Sequence, residues 1–478
     1  MKSDHVSDVF FDEMFGATSL PRDSYLKYSE WLKAEGLKNI RKKQRESEHL
    51  FRLSGITFNV YVDGQAQERL IPFDIIPRII SSAEWVKLKN GIEQRVRAIN
   101  SFLYDIYHHR EIVKAGVLPE EMVSSNNAFL PRMINFDPPF GVYTHIAGID
   151  IVRTAPETFY VLEDNIRTPS GVSYMLENRE TMLHMFPELF SINNVQAIEN
   201  YPIDLLRSLC SCAPTREERG VCAAVLTPGV HNSAFFEHAF LADKMGIELV
   251  EGADLLVTNG RLTMKTTAGL KEIDVLYRRV DDEFLDPLNF NPASQLGVPG
   301  LFDIYRAGAV TIANAPGSGI ADDKAIYAYL PEIIEFYTGS PAILKNVPTW
   351  ICSDENDLKY VVDNLDTLVV KEVHGSGGYG MLIGPAASKT ELAAFKRKLL
   401  CSPHNYIAQP TLSLSTVPVL TRSGLAPRHV DLRPFALVSP GGISITPGGL
   451  TRVALKKNSL IVNSSQGGGT KDTWVLVD

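Results

Sequence analysis

The stretch "VLEDNIRTPSGVSYMLENRE", residues 161–180, runs an apolar step of Val161 and Leu162 straight into Glu163, Asp164, Asn165 and Arg167. Burying such groups without partners is costly, so they cap a turn or hold something of opposite charge. Glu163 and Asn165 are spaced i, i+2 and so face one side of a strand. Asp150, in the preceding "AGIDIVR", would stand opposite them across a hairpin whose turn includes Pro156. Three oxygen-bearing side chains on one face are hard ligands suited to Mg²⁺, which keeps waters and accepts phosphate oxygens. Asp164 would face the other way. Arg153 and Arg167 would neutralise a transferring phosphoryl group or a carboxylate. Asx-turn chemistry around Pro169-Ser170-Gly171, with solvated ion pairs, accounts for the same spacing equally well.

A second cluster lies in "VVKEVHGSGGYGMLI", residues 369–383, which contains Gly375-x-Gly377-x-x-Gly380. A dinucleotide loop must open a helix, but "MLIG" follows Gly380 and favours a strand. A kinase-type loop has its lysine downstream and needs an H-R-D segment, and neither holds here. Lys371 instead stands four residues before the loop, on an otherwise apolar strand. Backbone N–H groups of Gly375, Ser376, Gly377, Gly378 and Gly380 can lie over phosphates, with the lysine as a point charge. The alternative is a plain glycine-rich hairpin tip beside a surface lysine. Tyr277, Arg278 and Arg279 end another apolar strand and suggest either a substrate-carboxylate site or an ion pair at the core edge. The histidines show no metal-ligand spacing.

These residues need elements to position them. "RDSYLKYSEWLKAEG" and "EWVKLKNGIEQRVRAINSFLYDIYHHREIVKAG" show helical periodicity, ending near Gly36 and Gly116. Between them "ITFNVYVDGQAQERLIPFD" alternates around Asp63-Gly64, a hairpin signal. Residues 126–200 then read as short strands and a helix from Gly171, and 201–316 as a small α/β unit with a parallel sheet. "PGSGIADDKAIYAYLPEIIEFYTG" reads as a glycine turn and one helix, and 317–478 otherwise alternates strands with turns. Four regions follow: 1–125 mainly helical with a hairpin, 126–200, 201–316 and 317–478. No internal repeat is visible.

The bulk numbers are those of a globular chain: 478 residues, 45% hydrophobic and 22% charged. A net charge of −9 and a pI near 5.7 argue against a nucleic-acid or anionic-membrane surface. The acidic "MKSDHVSDVFFDEM" lacks a signal peptide's apolar core, and no apolar run approaches the ~20 residues that span a bilayer. Five scattered cysteines without a C-x-x-C pair fit reduced thiols. The expectation is a soluble, cytoplasmic protein.

Taken together, "GIDIVR…YVLEDNIRTPSGVSYMLENR", "NAPGSGIADDK", "LVVKEVHGSGGYGM", "HVDLRPF" and "GGLTRVAL…VNSSQGGGTKDTW" closely resemble the circularly permuted ATP-grasp type 2 family, from about Gly55 to the C-terminus. That family is similar in arrangement to glutathionylspermidine synthetase. The resemblance implies an α+β fold of two lobes clasping ATP, with a small α/β unit and a helical N-terminal region. It implies Asp150, Glu163 and Asn165 as Mg²⁺ ligands, and Lys371 and Lys324 as nucleotide-binding lysines. "NYIAQP" would meet the adenine edge through the backbone near Ile407 and Gln409, and Arg153 would face the reacting phosphoryl group with Arg167 and Arg433 beside it. Asp431, Arg452 and "SSQGGGTKD" belong to the family pattern without an assigned role. The implied activity is an ATP- and Mg²⁺-dependent carboxylate–amine ligase forming an acylphosphate from an amino acid, peptide or polyamine. A non-catalytic nucleotide binder, alone or in a partner complex, and a phosphotransferase stay open, as does a homodimer.

Overall fold

The alternation in "IAGIDIVRTA" and "TFYVLEDN" folds into an antiparallel hairpin, Ile146–Ala155 against Thr158–Asn165. The structure is a computed structural model, which describes residues 10–16, 20–62, 65–214, 220–375, 380–457, 459, 462–463 and 467–477. The hairpin is part of a ten-stranded central sheet. Its neighbours on one side are, in order, Gly424–Arg433, Leu450–Val453, Gly469–Val475 and Phe73–Ile80. Phe73–Ile80 is fully buried and pairs in parallel with Gly469–Val475, so segments far apart in the chain meet in one sheet.

A four-stranded small sheet stands apart, ordered Trp350–Ile351, Tyr406–Pro410, Leu368–Glu372, Leu382–Ile383. It has its own core of Val361, Leu368, Val370, Leu399 and Ala408. Lys371 lies on the strand that feeds the glycine loop, and Leu382–Ile383 returns antiparallel to that strand, so the loop joins two strands. The expected parallel α/β unit is present: Thr311–Ala313, Val275–Arg278, Ala223–Leu226 and Glu248–Val250 pair in parallel in that order. A three-stranded meander, Leu255–Thr258, Arg261–Thr266 and Gly269–Glu272, is attached to it.

Helix boundaries depart from expectation in three places. The segment expected to run to Gly116 ends at Tyr107 and is followed by a separate short helix, Glu111–Lys114. The first helix spans Leu26–Leu53, passing a non-helical Gly36 (φ 74°) where the sequence suggested an end. Ile40 and Phe51, beyond the kink, are buried in the core and hold the continuation in place. The segment after "NAPGSGIADDK" is two helices, Lys324–Ala328 and Leu330–Thr338, with Pro331 in the first turn of the second. Proline lacks the N–H a continuous helix would use and fits a first turn. The N-terminal hairpin forms as Thr57–Val62 against Gln65–Leu70, while its Asp63-Gly64 turn lies outside the described residues. Helix Ser82–Tyr107 starts on a capping box made by Ser81 and Glu84. No helix among the described residues is long and apolar enough to cross a membrane.

Candidate active site

Asp150 pairs directly with Glu163 across the hairpin, and Gly148 pairs with Asn165. The register shifts between Asp150 and Ile151, so that Leu162 is an extra residue and the acids share a row. Asp164 points to the opposite face, where Arg95 grips both its oxygens at 2.6 Å. Strand Gly424–Arg433 lies beside the hairpin, with Leu432 opposite Ile151 and Asp431 opposite Arg452. Asp431 and Arg433, two residues apart, therefore share a face with Asp150.

Asp150 is fully enclosed and held by two guanidinium groups. Arg433 forks onto both its oxygens, and Arg452 Nη2 donates to Oδ2 at 2.6 Å. Arg452 also spans to Asp431, at 2.5 Å to Oδ2 and 3.0 Å to Oδ1. Burial opposes charge on Asp150, but Arg433 and Arg452 hold its carboxyl well below the usual range. Asp431 moves the other way: burial outweighs Arg452 and raises it. Glu163 keeps a third of its side chain exposed and lies 3.7 Å from Arg433.

A cavity between the central and small sheets collects these groups. Its polar lining includes Asp150, Glu163, Asp431 and Arg452 from one side and Lys324, Lys371 and Gln409 from the other. Leu162, Val347, Val369, Met381, Ile383 and Leu412 add apolar wall. Lys371 Nζ donates to Gln409 Oε1 at 2.8 Å, and Lys324 Nζ donates to the Gly375 carbonyl. Burial pulls the Lys371 ammonium down to about 8, with Glu163 opposing and Lys324 adding to the shift. Apolar walls with a few convergent charges are the usual form of a cofactor site. Gly375 lines the cavity and Gly380 adopts φ 70°, with the Glu372 carboxyl packed where a side chain would go. Ser376, Gly377 and Gly378 lie outside the described residues.

Several sequence-derived assignments need correction. Arg153 is 1% exposed and bound to Glu84 at 2.5 Å, with Glu13 at 3.9 Å and Phe11 and Phe159 stacked on it. It faces away from the cavity and cannot meet a phosphoryl group there. Arg278 is wholly buried, donating to the carbonyls of Asn314, Val280 and Ala315 and pairing with Asp282. Arg279 is buried against Glu237, Tyr277 and the Pro169 carbonyl. Both arginines knit the α/β unit together, which is the ion-pair alternative. Arg167 is held 3.4 Å from Asp281 and 3.5 Å from Asp322, off the cavity lining. Ile407 sits in the core between Ile351 and Lys371, so the stretch that reaches the cavity is Gln409–Leu412. Asn165 stands one pleat from Glu163 and donates to the Gly148 carbonyl.

The profile of a family described as circularly permuted ATP-grasp type 2 matches residues 77–454. The chain belongs to that family. Similar proteins include an uncharacterised protein of Synechocystis, 51% identical over 98% of this chain and 97% of its own length. An uncharacterised protein of Mycobacterium tuberculosis is 47% identical over 99% of this chain and 85% of its own. A Frankia casuarinae protein with the provisional name glutamate–cysteine ligase 2-2 is 39% identical, covering 97% of this chain. This chain spans only 53% of that protein's length. Among solved structures, an apo glutathione synthetase-like effector from Globodera pallida superposes with a TM-score of 0.57 over 91% of this chain and 96% of its own. At 11% identity that likeness shows the fold alone.

In this ATP-grasp chain the acidic hairpin precedes the glycine strand, with both opening on one cavity. Arg452 and Asp431 are the residues to which sequence reasoning gave no role. Their signal was present in "HVDLRPF" and "GGLTRVAL": Asp431 and Arg433 alternate onto one face, and a neighbouring strand supplies Arg452. Only the register between distant strands shows that they meet Asp150. "SSQGGGTKD" is likewise partly explained, since Lys471 pairs with Asp74 and Asp472 with Arg179, both inside the sheet.

Proposed function

We propose that this ATP-grasp protein is an ATP- and Mg²⁺-dependent carboxylate–amine ligase that works through an acylphosphate, on an amino acid, peptide or polyamine. The observation that carries this reading is the convergence of Asp150, Glu163, Lys324 and Lys371 on one cavity with apolar walls. The donor set suits a hard cation: it is all oxygen, and Glu163 is partly open to the cavity. Among the described residues no three His, Cys, Asp or Glu side chains are arranged to hold a metal by themselves. This fits Mg²⁺, which is commonly held by one or two carboxylates together with substrate phosphates. Asp150 and Glu163 would hold it with Asn165 nearby, and once bound it would draw charge from the phosphates during transfer.

The chain's own residues supply the rest. Lys371 and Lys324 bring positive charge to the phosphates, and the apolar wall takes the base. The backbone of Gln409–Leu412, which lines the cavity, would meet the base edge. Arg433 and Arg452 lie beside the acids, where they would steady the oxyanion formed when an amine attacks the acylphosphate. The acylphosphate hydrolyses readily, so the reaction needs a site that keeps water out. No nucleophilic side chain is needed. The provisional name of the Frankia relative supports the ligase class, although half of that protein has no counterpart here. Acidic charge and five cysteines that form no disulfide fit a reducing compartment such as the cytoplasm, and small-molecule substrates rather than nucleic acid or membrane.

Calorimetric titration with ATP tests the nucleotide site. Lys371→Ala should weaken binding by about tenfold or more, the loss of one charge-assisted contact. An unchanged affinity would remove the loop from the nucleotide site.

A further inference from the structure

Both carboxylate oxygens of Asp150 already accept from a guanidinium. Oδ1 is taken by Arg433, and Oδ2 by Arg433 at 2.8 Å and Arg452 at 2.6 Å. A cation approaching this carboxylate meets two guanidiniums of like charge, so its binding is opposed until at least one of them leaves. Leaving is unfavourable on its own, because a buried guanidinium without an anion is strongly destabilised. Asp431 cannot absorb the loss, since Arg452 already serves it with both Nε and Nη2. Three carboxylates (Asp150, Asp431 and Glu163) face two guanidiniums in this cluster. Arg452 lines the cavity, and Arg433 keeps about a tenth of its side chain exposed, so both can turn to an anion arriving there.

We propose that Arg433 and Arg452 are exchangeable counter-ions. They occupy Asp150 while the cavity holds no nucleotide, and they pass to the triphosphate when Mg²⁺ takes their place. The inference rests on the Mg²⁺-ATP reading and adds an order to it. Metal alone is excluded, because no anion is present to receive the guanidiniums. Metal-free nucleotide is weakened, because Asp150 still competes for them. Metal and nucleotide together satisfy every group, so each favours the other by the same factor. The free protein is thereby kept from binding divalent cations uselessly. Arg452 becomes a phosphate-contacting residue in the loaded state, ahead of its part in steadying the oxyanion.

The test is a titration of Mn²⁺, as a paramagnetic stand-in, into the full-length protein without nucleotide. The wild type should show only weak binding. Arg452→Gln leaves Asp150 and Asp431 short of a cation and should bind Mn²⁺ about tenfold more tightly or better. Arg452→Lys keeps one charge but cannot span both acids, and should fall between. A melting curve establishes that the variants are folded. If Arg452→Gln does not fold, Asp150→Asn serves in its place. It frees both arginines, so it should bind metal-free ATP, in the presence of EDTA, about tenfold more tightly than the wild type. Mn²⁺ binding no tighter in Arg452→Gln than in the wild type, or metal-free ATP binding no tighter in Asp150→Asn, overturns the exchange. A wild type that binds neither ATP nor Mg²⁺-ATP overturns the nucleotide reading beneath it, which is a separate result.

Discussion

Lys371 sits where a charge is poorly solvated, and burial brings its ammonium to about 8. A bound triphosphate favours the charged form, so nucleotide binding near pH 8 should draw up to about half a proton onto the protein. The sign follows from the lowered value: below about pH 7 the lysine is already charged and takes up nothing, while above pH 8 affinity falls as the free protein loses the charge. Calorimetry at pH 8 in buffers of different ionisation enthalpy reads the uptake directly, and Lys371→Ala should lose it. The place of Lys371 on the strand before the glycine-rich stretch, and of Glu163 and Asn165 two apart on one strand, was legible in the sequence, because each depends on neighbours within a few positions. Arg153 was misread because its type and its place near Asp150 suit phosphate chemistry equally well. Three positions along a strand turn a side chain to the other face, and there Glu13 and Glu84 claim it.

At the scale of elements, that arginine ties the N-terminal segment to the hairpin. Glu84 caps helix Ser82–Tyr107 and also receives Arg22 and Arg153. Burial opposes its charge, yet Arg153 and Arg22 bring it down to about 2. A depressed carboxyl contributes stability that is complete above its unfolded value near 4.5 and lost as pH falls toward 2. Arg153→Ala leaves Glu84 and Glu13 short of a partner and should destabilise the fold by about 3–5 kcal/mol in denaturant melts. The folded fraction should bind ATP with unchanged affinity. A catalytic arginine would give the reverse pattern, a stable protein with lost phosphate binding. Helices and strands were readable from periodicity, whereas the end of the first helix was not. Gly36 signals a stop locally, and the buried Ile40 and Phe51 overrule it through tertiary contacts.

For the molecule as a whole, the central sheet extends past the family match at both ends. Gly469–Val475 lies beyond residue 454, and Phe73–Ile80 begins before residue 77. Their buried pair, Lys471 with Asp74, joins positions 397 apart in the chain, a separation that no local pattern reveals. A fragment of residues 77–454 would expose the Leu450–Val453 edge and strand Arg179, which Asp472 holds at 2.9 Å. It should fail to give a cooperative unfolding transition, while the full chain gives one. The acidic hairpin and the small sheet then depend on both termini for the geometry of the cavity. ADP release from Mg²⁺-ATP, measured against pooled amino acids, glutathione and polyamines with Glu163→Gln as the blank, tests the ligase reading most directly. Glu163 is partly exposed, so the substitution should leave the melting temperature intact while removing turnover. ADP release should require both a carboxylate and an amine and disappear in Glu163→Gln. ATP binding without ADP release under any pool, or full activity in Glu163→Gln, would contradict the ligase reading.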